Sequence, residues 1–291
     1  MKNLLIFILF VDCLSVQGQV PADTTRYWKI NGNTSLNFSQ VSLSNWSEGG
    51  DGSVAGAFLF GINANNKKNN HYWDNSFSLE YGMTKNNSES LRKSIDQIYL
   101  SSNYGYEIGK PWYLSALFDF KTQMTKGFNY PDDKNYISTL MAPGYMHFAL
   151  GFDFKPNDNL SLMLSPLSTK FTFVLDDSLS NAGTFGVNPG ERFRAELGAY
   201  VKFLYVKKSL VKNVDFQTRL DLFSNYLKNP QNIDVDWNMK FDMKINKYLA
   251  AALETTLKYD DDTKFIDGNG VVHGARLQLK QFLGIGFTYK F

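Results

Sequence analysis

Only one cysteine stands among the 291 residues, Cys13, and it falls in the first stretch of the chain. Beyond that stretch no disulfide and no cysteine-based metal site can form. Neither sign of charge is in excess: 30 Lys and Arg against 28 Asp and Glu leave a net +2, too little for a bulk pull toward nucleic acid. Past residue 20 no apolar run approaches the roughly 18 residues a membrane helix needs. The chain has no phosphate-cradling glycine motif, no zinc-ligand spacing and no nucleophile elbow. No metal and no cofactor is therefore expected, and if the chain enters a bilayer it does so as strands.

Aromatic residues, by contrast, make up 15% of the chain. The last stretch shows how they are used. From Leu277 to Phe291 the odd positions read Leu277, Leu279, Leu283, Ile285, Phe287, Tyr289 and Phe291, broken only by Gln281. The even positions are mostly polar or glycine. A strand needs about 9–11 residues to cross a bilayer at a tilt, and this one has them. The same period of two recurs upstream: Trp73 to Met83, Trp112 to Phe120, Met146 to Phe154, Phe193 to Tyr205, Ile233 to Ile245 and Leu249 to Tyr259. Pro166 marks a bulge within the strand from Leu160 to about Leu175.

The alternation yields twelve strands, the first at about Thr34 to Leu43. Short polar connections at 64–70, 109–111, 155–159, 207–213 and 246–248 alternate with mostly longer ones, notably 125–144, 176–190 and 260–273. An even strand count, with short turns at one end and long loops at the other, is the pattern of outer-membrane barrels. Outward aromatics near the short turns (Trp73, Tyr104, Tyr106, Trp112, Phe154, Tyr205, Tyr289) read as an interfacial girdle. A soluble sandwich also alternates, but its one interior would have to hold nearly a dozen such rows. The expected fold is an all-β, closed, twelve-stranded antiparallel transmembrane barrel of outer-membrane type, with both termini periplasmic.

Three segments are expected: a signal peptide over 1–18, a periplasmic lead-in over 19–33 and the barrel over 34–291. Lys2, the apolar Leu4 to Val11 and the small-residue site Val16-Gln17-Gly18 carry the first of these. The expected address is the outer membrane of a Gram-negative bacterium.

Several stretches carry a resemblance. They are Ser35 to Trp46 with Gly49-Gly50, Trp73-Asp74-Asn75, Tyr81-Gly82, Leu164-Ser165-Pro166-Leu167 and Lys170-Phe171-Thr172. Ala182-Gly183, Phe185 to Gly190, Asn229 to Val235, Tyr259 to Asp262 and Leu283 to Phe291 follow. Together they resemble the Bacteroidota outer-membrane barrel proteins catalogued as domain of unknown function 3078. The resemblance implies fold and location; that family has no settled activity or catalytic residues to carry over. The final Phe291 also resembles the assembly signal that barrel-insertion machinery reads.

The inner face carries charge of both signs. Its candidates as lumen-lining groups are Arg192, Arg194, Glu196, Lys202, Arg219, Asp221, Asp234, Asp236, Lys240, Asp242, Glu254 and Arg276, with Asp215, Lys244, Lys258 and Lys280 on the same rows. They line a polar conduit or cross-link one another and fill the bore. Bores of about eight strands are filled and those of about sixteen leave a water channel, so twelve permits either. His147 faces inward, where a membrane hydrolase would want a serine or carboxylate beside it. Asp260-Asp261-Asp262 with Asp267 and His273 form either a solvated loop or a carboxylate cluster. Asn181 to Gly190 either rests on the rim or folds inward as a constriction. No enzyme is expected. A narrow or gated channel for small polar solutes, a subunit that docks another envelope protein and, last, a rim hydrolase are the functions to separate. The expected partners are outer-membrane lipid, the barrel-assembly machinery and an envelope protein, with no nucleic acid.

Overall fold

A computed structural model describes residues 27–42, 52–86, 89–262, 264–266 and 272–291. The signal-peptide reading, Asp267 and the start of the lead-in lie outside those residues. Twelve strands close into one antiparallel barrel: β1 (Trp28–Val41), β2 (Ser53–Lys68), β3 (His71–Asn86), β4 (Arg92–Gly109), β5 (Trp112–Thr122), β8 (Gly144–Asn157), β9 (Leu160–Phe173), β10 (Phe193–Val211), β11 (Val214–Asn225), β12 (Ile233–Lys244), β13 (Leu249–Tyr259) and β16 (Gln278–Lys290). Two small hairpins, β6 (Gly127–Phe128) with β7 (Tyr136–Ser138) and β14 (Lys264–Ile266) with β15 (Val272–Ala275), stand on long connections.

Several boundaries differ from the sequence reading, among them the connection placed at 207–213, which narrows to Lys212-Asn213. β1 begins at Trp28 rather than Thr34 and pairs with β2 from Trp28↔Asn66 onward. Part of the expected lead-in is therefore barrel wall. The connection placed at 64–70 shrinks to Asn69-Asn70, because polar Asn63 to Lys68 continue the β2–β3 ladder. Asn69 takes φ 52°, the left-handed conformation that tight hairpins need and Asn tolerates. The bulge at Pro166 is present. Leu150 pairs Leu167 and Phe152 pairs Leu164, so Gly151 faces both Ser165 and Pro166.

Exposure is inverted relative to a soluble protein. Along β16 and just before it, Leu277, Leu279, Leu283, Phe287 and Tyr289 are each 62–68% exposed. On β8, Phe148, Leu150 and Phe152 are likewise exposed, whereas Asp153 is fully buried. Inside the wall, Asp119, Lys170, Glu196 and Glu254 are buried. Contiguous apolar rows of this extent are unstable against water and stable against acyl chains. No helix among the described residues is long and apolar enough to cross a membrane; the strands cross instead.

The short-turn end carries the aromatic girdle. Trp28 packs on Trp73 at 5.5 Å, Trp112 on Phe154 at 5.0 Å and Tyr289 on Phe291 at 6.1 Å. The Trp73 indole N–H donates to Ser102 at 2.9 Å, leaving its ring for the interface. The last residue locks the barrel here. The Phe291 N–H donates to Gly32 O at 3.0 Å, and the Gly32 N–H donates to Phe291 O at 2.8 Å. The Phe291 ring covers Gly32 so closely that a Cβ there would lie 2.5 Å from its Cζ.

Candidate functional site

The bore is crossed by polar side chains rather than left open. Lys202, from β10, reaches Asp119 Oδ2 on β5 at 2.7 Å and the Tyr99 and Ser101 hydroxyls on β4, each at 3.1 Å. The Tyr200 hydroxyl donates to Asp221 at 2.6 Å and to Asp119 at 3.3 Å. Lys121 on β5 meets Asp236 on β12 at 2.9 Å, a span of nearly half the ring of strands. Lys170 on β9 holds Asp234 at 2.6 Å and Asp260 at 3.0 Å. Such contacts strengthen as water is excluded around them.

A second layer lies closer to the short turns. The Tyr72 hydroxyl, from β3, donates to Asp153 on β8 at 2.6 Å and shares a 2.8 Å hydrogen bond with Ser115. Asn103 and Ser161 satisfy the rest of that carboxylate at 3.0 and 2.7 Å. Tyr72 reaches so far because β4 offers Gly105 beneath its ring, where a Cβ would lie 2.1 Å from Cε1.

Above the Lys202 layer, toward the long loops, is a cavity of about 370 Å³. Tyr99, Asp119, Tyr145, His147 and Phe223 are among its walls. It is capped on one side by the connection after β9. A short helix, α1 (Asp177–Asn181), is N-capped by Asp176, whose carboxylate accepts from the Leu179 N–H at 3.0 Å. A 3-10 turn at Thr184–Gly186 follows. Leu179 and Val187 pack with Ala142 and Val174, and Tyr136 and Phe185 lie against them. Phe185 also lines the cavity. The segment Asn181 to Gly190 thus folds inward as a constriction.

Most predicted inner residues fall into these networks. Arg194 pairs Glu196 at 2.8 Å and Asp262 at 2.7 Å, and Arg219 pairs Asp221 at 2.9 Å. Lys240 stands 3.7 Å from Asp242, and Glu254 stands 3.7 Å from Lys280. One candidate is corrected. Arg192 precedes β10 and pairs with Asp177 at the exposed rim. Arg276 lies in the exposed connection between β15 and β16. Arg192 does not line the lumen, because the strand whose alternation would aim it inward has not begun there. Asp215 turns toward Lys290, at 3.4 Å, at the short-turn rim.

The aspartate run at 260–262 is spent on ties: Asp260 to Lys170, Asp262 to Arg194 and Lys228, and Asp261 accepting from Asn232 at 2.7 Å. No metal-holding cluster occurs among the described residues. The His147 ring sits 5.3 Å from Tyr200 and 5.7 Å from Phe223, and its Nδ1 has no hydrogen-bond partner. The sequence reading passed over Lys170, Tyr72, Tyr99 and Tyr145. Their parity on the strands was the available signal, but inward tyrosines look like core.

A closed antiparallel barrel that turns Phe, Leu and Trp rows outward and ion pairs inward is a transmembrane barrel of the outer-membrane type. The family described as protein of unknown function, DUF3078, matches this chain over residues 38–128. No curated protein matches it. Among solved structures, an outer-membrane channel from Pseudomonas putida F1 is 9% identical, covers 93% of this chain and 100% of its own, and gives a TM-score of 0.40. The translocator domain of the autotransporter NalP from Neisseria meningitidis is 10% identical, covers 98% and 96%, and gives 0.36. The porin NanC is 7% identical, covers 88% and 98%, and gives 0.39. These low scores add nothing to the strand pairing and exposure above, which define the barrel by themselves.

Proposed function

We propose that this chain is a narrow, gated channel for small polar solutes in the outer membrane of a Gram-negative bacterium, and a member of the Bacteroidota barrel family described as DUF3078. The observation that carries the reading is the cavity behind the long loops, blind at the Lys202–Asp119 layer. A solute of modest size fits a volume of about 370 Å³. It leaves toward the short turns only when that layer parts. Charge of both signs around the cavity makes the route weakly ion-selective.

Short turns and both barrel termini lie at one end, which is the periplasmic end in barrels of this class. Residues 1–18 act as a cleaved export signal, and Phe291, tied to Gly32, is the group the assembly machinery engages. On this reading the chain is no enzyme, and His147, beside Tyr200 and Phe223, is a wall residue of the cavity. A filled bore equally suits a subunit that docks another envelope protein. Single-channel recording separates the two. The channel reading predicts rare openings in the wild type and frequent ones in the Asp119→Asn/Lys202→Gln variant. Silence of both at every voltage refutes it and leaves the docking subunit, which stoichiometric co-purification from detergent extracts then tests.

A further inference from the structure

The barrel is closed unevenly. β1 and β16 pair over five residues only, Asn33↔Lys290 to Asn37↔Gly286. The neighbouring β13–β16 seam carries ten pairs and the β1–β2 seam fourteen. Beyond Asn37 the two strands part. Phe38–Val41 stay with β2, and Phe282–Ile285 stay with β13. Had the register continued, Ser39 would face Gly284 and Gln40 would face Leu283. Among the described residues no strand pairs with Gln278–Ile285 on that side.

This split lies in the half of the barrel toward the long loops and runs for about four residues of each strand, or ~13 Å. Its outer lips are apolar: Phe38 on one side, Leu279, Leu283 and Ile285 on the other, all exposed. Within hydrocarbon a wall normally leaves no strand edge unpaired, since each unmet backbone group is costly there. At the point of parting, the side-chain Nδ2 of Asn37 is buried without a hydrogen-bond partner, beside Gly284 and the Phe282 ring.

None of the lip residues lines the cavity, which reaches this seam only at the start of β16. Its wall includes Gln278, on the unpaired part of β16, with Lys258 next to it on β13 and Asp260 just past the end of that strand. The ammonium groups nearest the gap hold their carboxylates loosely. Lys258 is 3.7 Å from Asp236, and Lys280 is 3.7 Å from both Glu80 and Glu254. Lys170 and Lys202, deeper on the other wall, hold theirs at 2.6 and 2.7 Å. Farther in, the rings of Tyr145, His147 and Phe223 give an acyl chain a surface.

We propose that the β1–β16 split is a lateral portal, through which an amphiphile with an acyl chain and an anionic head passes between the long-loop leaflet and the cavity. The chain enters between Phe38 and Leu283, and the head is taken by Lys258 and Lys280. This route is independent of axial passage, so a silent conductance trace leaves it standing. A fatty acid and an acidic phospholipid present the same chemistry.

The full chain, folded in detergent, is exposed to a photoactivatable palmitic acid, its methyl ester and a photoactivatable phosphatidylglycerol, and the labelled residues are mapped. The portal predicts that at least one acidic probe marks inward residues such as Tyr145 and Gln278. It predicts that a Gln40→Cys/Leu283→Cys disulfide abolishes that labelling and that reductant restores it. Lys258→Gln/Lys280→Gln should lower inward labelling by the acids about tenfold, the loss of one charged hydrogen bond, and leave the ester unchanged. Labelling confined to outward side chains, or unaltered by the disulfide, overturns the proposal. So does hydrogen exchange on the unaltered protein, if the amides of Leu279–Ile285 are as protected as those of the β12–β13 ladder.

Discussion

Replacing Lys202 by methionine removes the charge at the middle of the cross-bracing and keeps most of the volume. Lys202 and Asp119 are each about a tenth exposed and lie 2.7 Å apart. The same ammonium holds the Tyr99 and Ser101 hydroxyls, and the Asp119 carboxylate keeps only hydroxyl donors, Tyr200 at 3.3 Å and Ser101, once it is gone. Removing one partner of a buried pair costs roughly 3–5 kcal/mol, mostly as the penalty of the charge left behind. Water in the adjoining cavity places the expected loss at the lower end, about 3 kcal/mol, a large part of a total stability of about 5–15 kcal/mol. Asp119→Leu alone should lose a similar amount. The double variant should lose far less than the sum, since no charge is stranded. Urea unfolding in lipid vesicles, followed by tryptophan fluorescence, measures all three. A Lys202→Met loss within about 1 kcal/mol of wild type, as for a solvated pair, or additive losses in the double variant, would refute the view that this layer seals the bore.

Other outcomes are expected on the same grounds. Tyr72→Phe leaves Asp153 with Asn103 and Ser161 alone, and should lower stability by about 1.5–3 kcal/mol in the same assay. Phe185→Ala should uncover the cavity mouth, so that a cysteine at position 147 reacts faster with a membrane-impermeant maleimide than in the Phe185 parent. Acid should loosen the constriction. The Asp176 carboxyl is held below its ordinary value by the Leu179 N–H it accepts from, with the Tyr136 hydroxyl adding to this. A group so depressed stabilises the fold above its unfolded value, near pH 4, and loses that contribution as pH falls through the folded value. Protease cleavage within 176–190 should therefore rise below about pH 4, and Asp176→Asn should flatten that dependence. Gly32→Val should weaken the closing contact, because Phe291 leaves no room for a branched side chain; the folded form on an unheated gel reports it.

Twelve strands, their facing and the bulge at Pro166 were legible, because alternation and proline are local signals. Phe148, Leu150 and Phe152 announce one face of β8 and Asp153 the other without reference to any neighbour. What each inner charge touches was not legible. Lys121 meets Asp236 across the bore because tilt and stagger bring β5 level with β12, and no pattern within either strand encodes that height. Arg192 was placed inside by extending alternation past the point where β10 begins. The inward fold of the 181–190 loop depends on Ala142, Val174 and Val187 meeting from separate connections. The split between β1 and β16 was hidden for a similar reason: β16 keeps its alternation, Gln281 apart, to its end, and only the pairing shows that β1 leaves it at Asn37.

The claim on which everything rests is that apolar rows face acyl chains while the charged rows face one another. Single cysteines from Met146 to Phe154 on β8, spin-labelled in lipid vesicles, test it most directly. Collision with oxygen should peak at 148, 150 and 152 and fall at 147, 149 and 153, with a water-soluble nickel chelate reaching none of the outward three. The opposite alternation, with nickel quenching at 148, 150 and 152, would mean that those rows look into water, and the barrel could not be a membrane one.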